Sequence, residues 1–268
     1  MKLFYRKFGE GPVLIILHGL YGMSDNWLSI GKALSEHFEV YLPDQRNHGR
    51  SPHDPRHDYN ALRDDLLEFM DEHMIDRAVL AGHSMGGKTA MSFTVKYPER
   101  VNALIVIDIS PRSYLDLSSF SRPVIDHMNI INGMLDVDFS KAHTRADVES
   151  QLVPSIHSRK VSRFLLKNLE NDGQKGLRWK INLEALRNEL PRIMEGISCD
   201  PQQEGTGITG FPVHFIRGDR SDYVTDNDLL LIRKIFPMAE ITVIAGAGHW
   251  VHADQPDLLV KTILQVTG

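Results

Sequence analysis

Ala78-Val79-Leu80-Ala81-Gly82-His83-Ser84-Met85-Gly86-Gly87 is the stretch on which the fold of this chain turns. It opens as an apolar strand, passes through a Gly-x-Ser-x-Gly turn and leads into a helix expected over residues 85–97. A serine that must stand clear of its own backbone needs a tight strand-to-helix turn. The positions two before and two after it crowd each other there, and glycine removes the clash. The helix that follows aims free N–H groups and the positive end of its dipole at the serine, where they favour a developing oxyanion.

On either side of this stretch the pattern of a strand followed by a helix repeats. Val13-Leu14-Ile15-Ile16-Leu17 is a continuous aliphatic run, the mark of a strand covered on both faces, and it ends at His18-Gly19-Leu20-Tyr21-Gly22. Further strands are expected at 38–42 and 102–108, and helices at about 24–37 and 60–73. Such alternation specifies a parallel, doubly wound sheet. It stops at Ser110-Pro111. Residues 111–210 carry helical patterns, at 123–135, 144–153, 158–170 and 183–194, and a polar linker from 201. The alternation returns at 212–216 and 240–244, with a closing helix at 257–266. The expectation is an α/β core at 1–110 and 211–268, with a helical cap at 111–210.

Composition narrows the function. The chain has 268 residues, 42% of them hydrophobic, with a net charge of −5. That suits one α/β domain with an insertion and gives no basic footprint for nucleic acid. A single cysteine, Cys199, excludes an intrachain disulfide framework and fits a reducing compartment. The first residues hold no secretory apolar segment, and no apolar run is long enough to enter a membrane. A cytoplasmic protein is expected. The His53-x-x-x-His57 pair has metal-like spacing, but Pro55 breaks the helix such a pair needs, and no dinucleotide or phosphate loop is present. Neither a metal nor a cofactor is expected.

The chemistry-bearing residues follow from the turn. A serine hydroxyl attacks at neutral pH only if a base takes its proton. Ser84 is the candidate nucleophile, and His249, in the Gly246-Ala247-Gly248-His249 loop after the last strand, is the candidate base. His252 is read as structural and His18 as a brace for its loop. An acid must orient the imidazole, and in this chain order Asp108, Asp219 and Asp222 all qualify. The oxyanion hole is expected from the N–H groups of Leu20 and Met85. Phe164, Trp179 and Trp250 are candidates for substrate contact, as are Met128, Met134 and Leu165.

The order His18-Gly19-Leu20-Tyr21-Gly22, Asp44-Gln45-Arg46-Asn47-His48-Gly49-Arg50-Ser51, Gly82-His83-Ser84-Met85-Gly86-Gly87-Lys88, Ile107-Asp108-Ile109-Ser110-Pro111 and Ala245-Gly246-Ala247-Gly248-His249-Trp250 resembles the α/β-hydrolase fold over the whole chain. Within it the chain is most similar to the small YbfF-type esterases of bacteria and their mitochondrial relatives. The resemblance implies a mostly parallel doubly wound sheet with a helical cap inserted after the sixth strand. It implies a serine hydrolase acting on esters or thioesters of short to medium acyl groups through an acyl-serine intermediate, with a small-molecule substrate. Most members of the fold carry their acid three residues before Val224, where this chain has Ser221. YbfF-type enzymes also have a serine there and draw the acid from the preceding strand end, which here is Asp108, so the resemblance favours Asp108 with Ser221 orienting the pair. Related chemistries (C–C bond hydrolase, lyase, perhydrolase) and a non-catalytic ligand sensor are the alternatives.

Overall fold

In the computed structural model, which describes residues 1–115, 122–156, 158–173, 176–198 and 207–267, the main-sheet strands are Tyr5–Phe8 (β1), Val13–Leu17 (β2), Glu39–Pro43 (β3), Ala78–His83 (β4), Val101–Ile107 (β5), and, far along the chain, Val213–Gly218 (β8) and Glu240–Ile244 (β9). They lie in the order β1-β3-β2-β4-β5-β8-β9. Only β1 is antiparallel, Tyr5 facing Pro43. Parallel pairing puts Ile15 beside Leu80, and Val106 beside Phe215. This places the carboxyl ends of β2, β4, β5, β8 and β9 along one edge, where ligands bind in open α/β sheets.

Alternate residues of the central strands serve opposite faces, which is why these strands are aliphatic throughout. Ile15, Leu80, Leu104 and Val106 pack with Leu66 and Phe69 of Tyr59–Glu72 (α2) and Met91 of Met85–Lys96 (α3). Ile16, Ala81 and Ile105 pack the other way, with Ile30 and Leu34 of Leu28–Leu34 (α1) and Leu259 and Ile263 of the closing helix Pro256–Thr267. Asp58 caps α2, its carboxylate accepting from Ala61 N–H at 2.8 Å.

Between β5 and β8 the described residues form Arg122–Leu135 (α4), Arg145–Leu152 (α5), Arg159–Leu165 (α6), the hairpin Leu169–Asn171 (β6) with Leu177–Trp179 (β7), and Leu183–Met194 (α7). Two expectations are corrected here. This insertion follows the fifth strand, not the sixth, because the chain before Val13 supplies one antiparallel strand only. Residues 158–170 are not one helix: α6 ends at Leu165 and the chain turns into β6, with Gly173 and Gly176 at φ +76° and +79° beside the hairpin turn. Cys199 and most of the expected linker lie outside the described residues.

The insertion leaves and rejoins the core through two arms that pair with each other. Ile197 N–H donates to Pro111 O at 2.7 Å, and Tyr114 N–H to Met194 O at 2.8 Å. Lys88, on α3 and 1% exposed, reaches both arms: its ammonium donates to Arg112 O at 3.0 Å and to Glu195 O.

Candidate active site

Ser84 sits on the turn between β4 and α3 with φ +52° and ψ −120°, a conformation that costs an L-residue free energy and is held by its surroundings. Its N–H donates to Ile107 O at 3.1 Å, tying the turn to the next strand. A Cβ at Gly82 would collide with the Gly86 carbonyl, and one at Gly86 with the Leu17 carbonyl. Both glycines are therefore required by close backbone approach.

Asp108, the residue after β5, also has positive φ, +52°, and is wholly buried. Its N–H donates to Ile216 O at 2.7 Å, and its Oδ1 accepts Gly218 N–H at 2.9 Å. Oδ2 takes two donors: Nδ1 of His249 at 2.8 Å, and the hydroxyl of Ser221. Asp219 and Asp222 are solvent-exposed on the same loop, and Asp222 O accepts from Arg112. Of the three carboxylates, Asp108 is the one on the imidazole. The loop of His249 is fastened to the serine turn by His83, whose Nε2 donates to His249 O at 2.8 Å. This contact fixes the protonated nitrogen of His83, and burial, together with His249 and His252, pushes its pKa well down.

A narrow cavity opens on Ser84. Leu20 and Met85 line it from the core, with Lys88 and Ile109; His127, Ile193 and Met194 line it from the insertion. The loop of Leu20 is braced as expected by His18, whose Nε2 accepts Gln45 N–H at 2.9 Å. Arg46 makes paired contacts of 2.6 and 2.8 Å to the buried Asp65, which anchors the loop after β3 on α2.

Two side groups of candidates are placed differently. Trp179 is turned away: its indole N–H donates to Met134 O at 2.8 Å, and its ring packs on Phe139. It packs within the insertion, where a half-buried indole N–H needs an acceptor and Met134 supplies one. Met134 and Leu165 are wholly buried in packing. Phe164 packs on Trp250 at 5.6 Å, and that pair stands beside His249 rather than in the cavity lining. His53 and His57 are separated in role as well as by Pro55: His53 contacts Lys180 O at 2.8 Å and His57 contacts Asn47 at 3.1 Å.

Three residues in or against the cavity were not singled out from sequence. Tyr223 lies flat on the His249 ring, centroids 3.8 Å apart at 18°. His127 of α4 stands between the hydroxyls of Tyr21 and Tyr223. Lys88 could have been noticed as a cation on the buried side of an apolar helix; a lone histidine on an amphipathic helix and a tyrosine in a loop carry no such signal.

The family described as alpha/beta hydrolase fold matches residues 12–256. The chain is 38% identical to the sn-1-specific diacylglycerol lipase ABHD11 of Danio rerio over 96% of its length and 78% of that protein. It is 35% identical to Esterase YbfF of Escherichia coli K12 over 93% of its length and 91% of that protein. Among solved structures, a marine microorganism esterase superposes with a TM-score of 0.92 at 44% identity, covering 99% of each chain.

Proposed function

This chain belongs to the α/β-hydrolase family and is a carboxylic ester hydrolase, and from that premise we propose that Ser84, His249 and Asp108 are its catalytic residues. Ser84 Oγ attacks the acyl carbon while His249 takes its proton. Asp108 holds the imidazole with Nδ1 protonated and stabilises the imidazolium, and Ser221 fixes the carboxylate. The N–H groups of Leu20 and Met85 receive the oxyanion. The proton then passes from His249 to the leaving alkoxide or thiolate, and water repeats the sequence to free the acid. The observation that carries this reading is the 2.8 Å contact between His249 Nδ1 and a wholly buried Asp108.

The substrates are esters or thioesters of short to medium acyl groups. Ile193 and Met194 at the end of α7 supply the support for this, since they stand over the same cavity as Ser84 and limit its depth. The expected compartment is the cytoplasm; no helix among the described residues is long and apolar enough to cross a membrane. The test is fluorophosphonate labelling and turnover of a ladder of p-nitrophenyl esters and acyl thioesters. Ser84→Ala should lose labelling and lower kcat by several orders of magnitude, and the wild-type rate should fall with long chains. A variant that keeps a tenth of the activity would remove Ser84 from its role. Efficient hydrolysis of trioleoylglycerol would overturn the chain-length reading.

A further inference from the structure

The loop after β8, where most members of this fold carry their acid, here supplies two other contacts. Ser221 reaches Asp108, and two residues later Tyr223 lays its ring on His249, near parallel at 18° and 3.8 Å between centroids. The ring is held in place from several sides. Tyr223 N–H donates to Ser221 Oγ at 3.3 Å, its carbonyl accepts Tyr114 OH at 2.6 Å, and its own hydroxyl meets His127 Nε2 at 3.4 Å.

The direction of that last contact follows from its neighbours. Tyr21 OH donates to the carbonyl of His127 at 3.3 Å, so its oxygen is left to accept from His127 Nδ1 at 3.2 Å. The proton is thereby assigned to Nδ1, Nε2 is an acceptor, and Tyr223 OH is its donor. A phenol that donates becomes richer in electrons on its ring. Burial also raises the pKa of Tyr223, so the hydroxyl stays protonated and is no base.

We propose that Tyr223 is a further catalytic residue, whose ring face stabilises the His249 imidazolium formed as Ser84 attacks. His127 and Tyr21 act through it as positioning residues. The proposal rests on His249 being the general base. A π face attracts a cation set against it and is nearly indifferent to the neutral ring. The attraction therefore grows as the proton arrives on His249, and its loss falls on kcat rather than KM.

The test is steady-state hydrolysis of p-nitrophenyl butyrate. Tyr223→Leu, which fills space without a π face, should lower kcat about tenfold with KM within about twofold. Tyr223→Phe should stay within about threefold of wild type. Should the leucine variant not fold, mono-, di- and trifluorophenylalanine placed at position 223 provide the second measurement. Each fluorine drains the ring face at nearly constant shape, and kcat should fall stepwise along the series. A flat series, an effect confined to KM, or a phenylalanine variant as slow as the leucine one overturns the proposal. Ser84→Ala separates the two readings: if it is inactive while the fluorinated series is flat, only the role of Tyr223 fails.

Discussion

Asp108 enters the site with φ +52° from the end of β5, and each of its oxygens is occupied, Oδ1 by Gly218 N–H and Oδ2 by His249 and Ser221. An aspartate tolerates this left-handed conformation better than most residues, so the strain serves to aim the carboxylate across to β9's loop. Asp108→Asn should keep the shape of the site while favouring the wrong tautomer of His249. The expected loss in kcat approaches ~10⁴. Asp219→Asn and Asp222→Asn, both on the exposed loop, should each cost tenfold or less, on the order of a surface charge change. Ser221→Ala should fall between, having removed one hydrogen bond to a charged acceptor, worth about 2 kcal/mol. Parallel kcat measurements on the four variants check the ranking; a loss at Asp219 or Asp222 as large as at Asp108 would reassign the acid.

Among the elements, the insertion's two arms and α3 form one joint, and Lys88 is its pin. The ammonium meets the Arg112 and Glu195 carbonyls and lies over the Tyr114 ring at 4.8 Å. Burial, with Arg112 nearby, pushes its pKa down from 10.5 to about 7. The sign of the consequence is the reverse of the usual lysine partnership. Between about 7 and 10.5 the unfolded chain holds a proton that the folded one has released. Stability contributed by this group therefore rises with pH across that window, by about 1.4 kcal/mol per unit. Below it the full cost of burying the charge is present. The neutral amine keeps two N–H donors, enough for both carbonyls. Lys88→Met should remove this dependence, so the urea midpoints of wild type and variant should diverge in favour of wild type from pH 7 to 9.5. Parallel midpoints across that range would show that the ammonium is not desolvated as its contacts imply. Elements also explain where sequence periodicity misled: the apolar positions of 158–170 suit a helix, but Asn171-Asp172-Gly173 gives the chain a turn, and pairing of Leu169 with Trp179 claims its last residues for a hairpin.

Across the whole molecule, buried neutral histidines brace the edge of the sheet where the site lies. Burial lowers His57 and His252 to about 3 and His127 to about 4, and also pushes His18, His48 and His83 down. In the unfolded chain each binds a proton near the ordinary 6.5. Between about 6.5 and 4 the unfolded state thus carries more protons at His57, His127 and His252, and stability must fall as pH falls, by about 1.4 kcal/mol per unit for each of these three. Melting temperature should drop steeply from pH 7 to 5. An unchanged melting temperature over that range would contradict the burial of these rings.

Sequence alone was enough for the sheet, the serine turn and the order of the candidate nucleophile, acid and base. Those features rest on local rules: aliphatic runs such as Val13-Leu14-Ile15-Ile16-Leu17 bury on both faces, and the glycines at 82 and 86 leave a turn no other choice. It also made Ser84 and His249 candidates, because each sits in a loop directly after a strand. Chain order admits Asp108, Asp219 and Asp222 alike and the resemblance favoured Asp108, but it took the packed fold to bury that carboxylate alone of the three and set it on His249. The same holds for Trp179, drawn into the insertion by Met134 O, and for Tyr223, Lys88 and His127, whose partners lie 26, 24 and 107, and 106 and 96 residues away. Contacts over such separations are set by how whole elements dock, and no local pattern of residues encodes them.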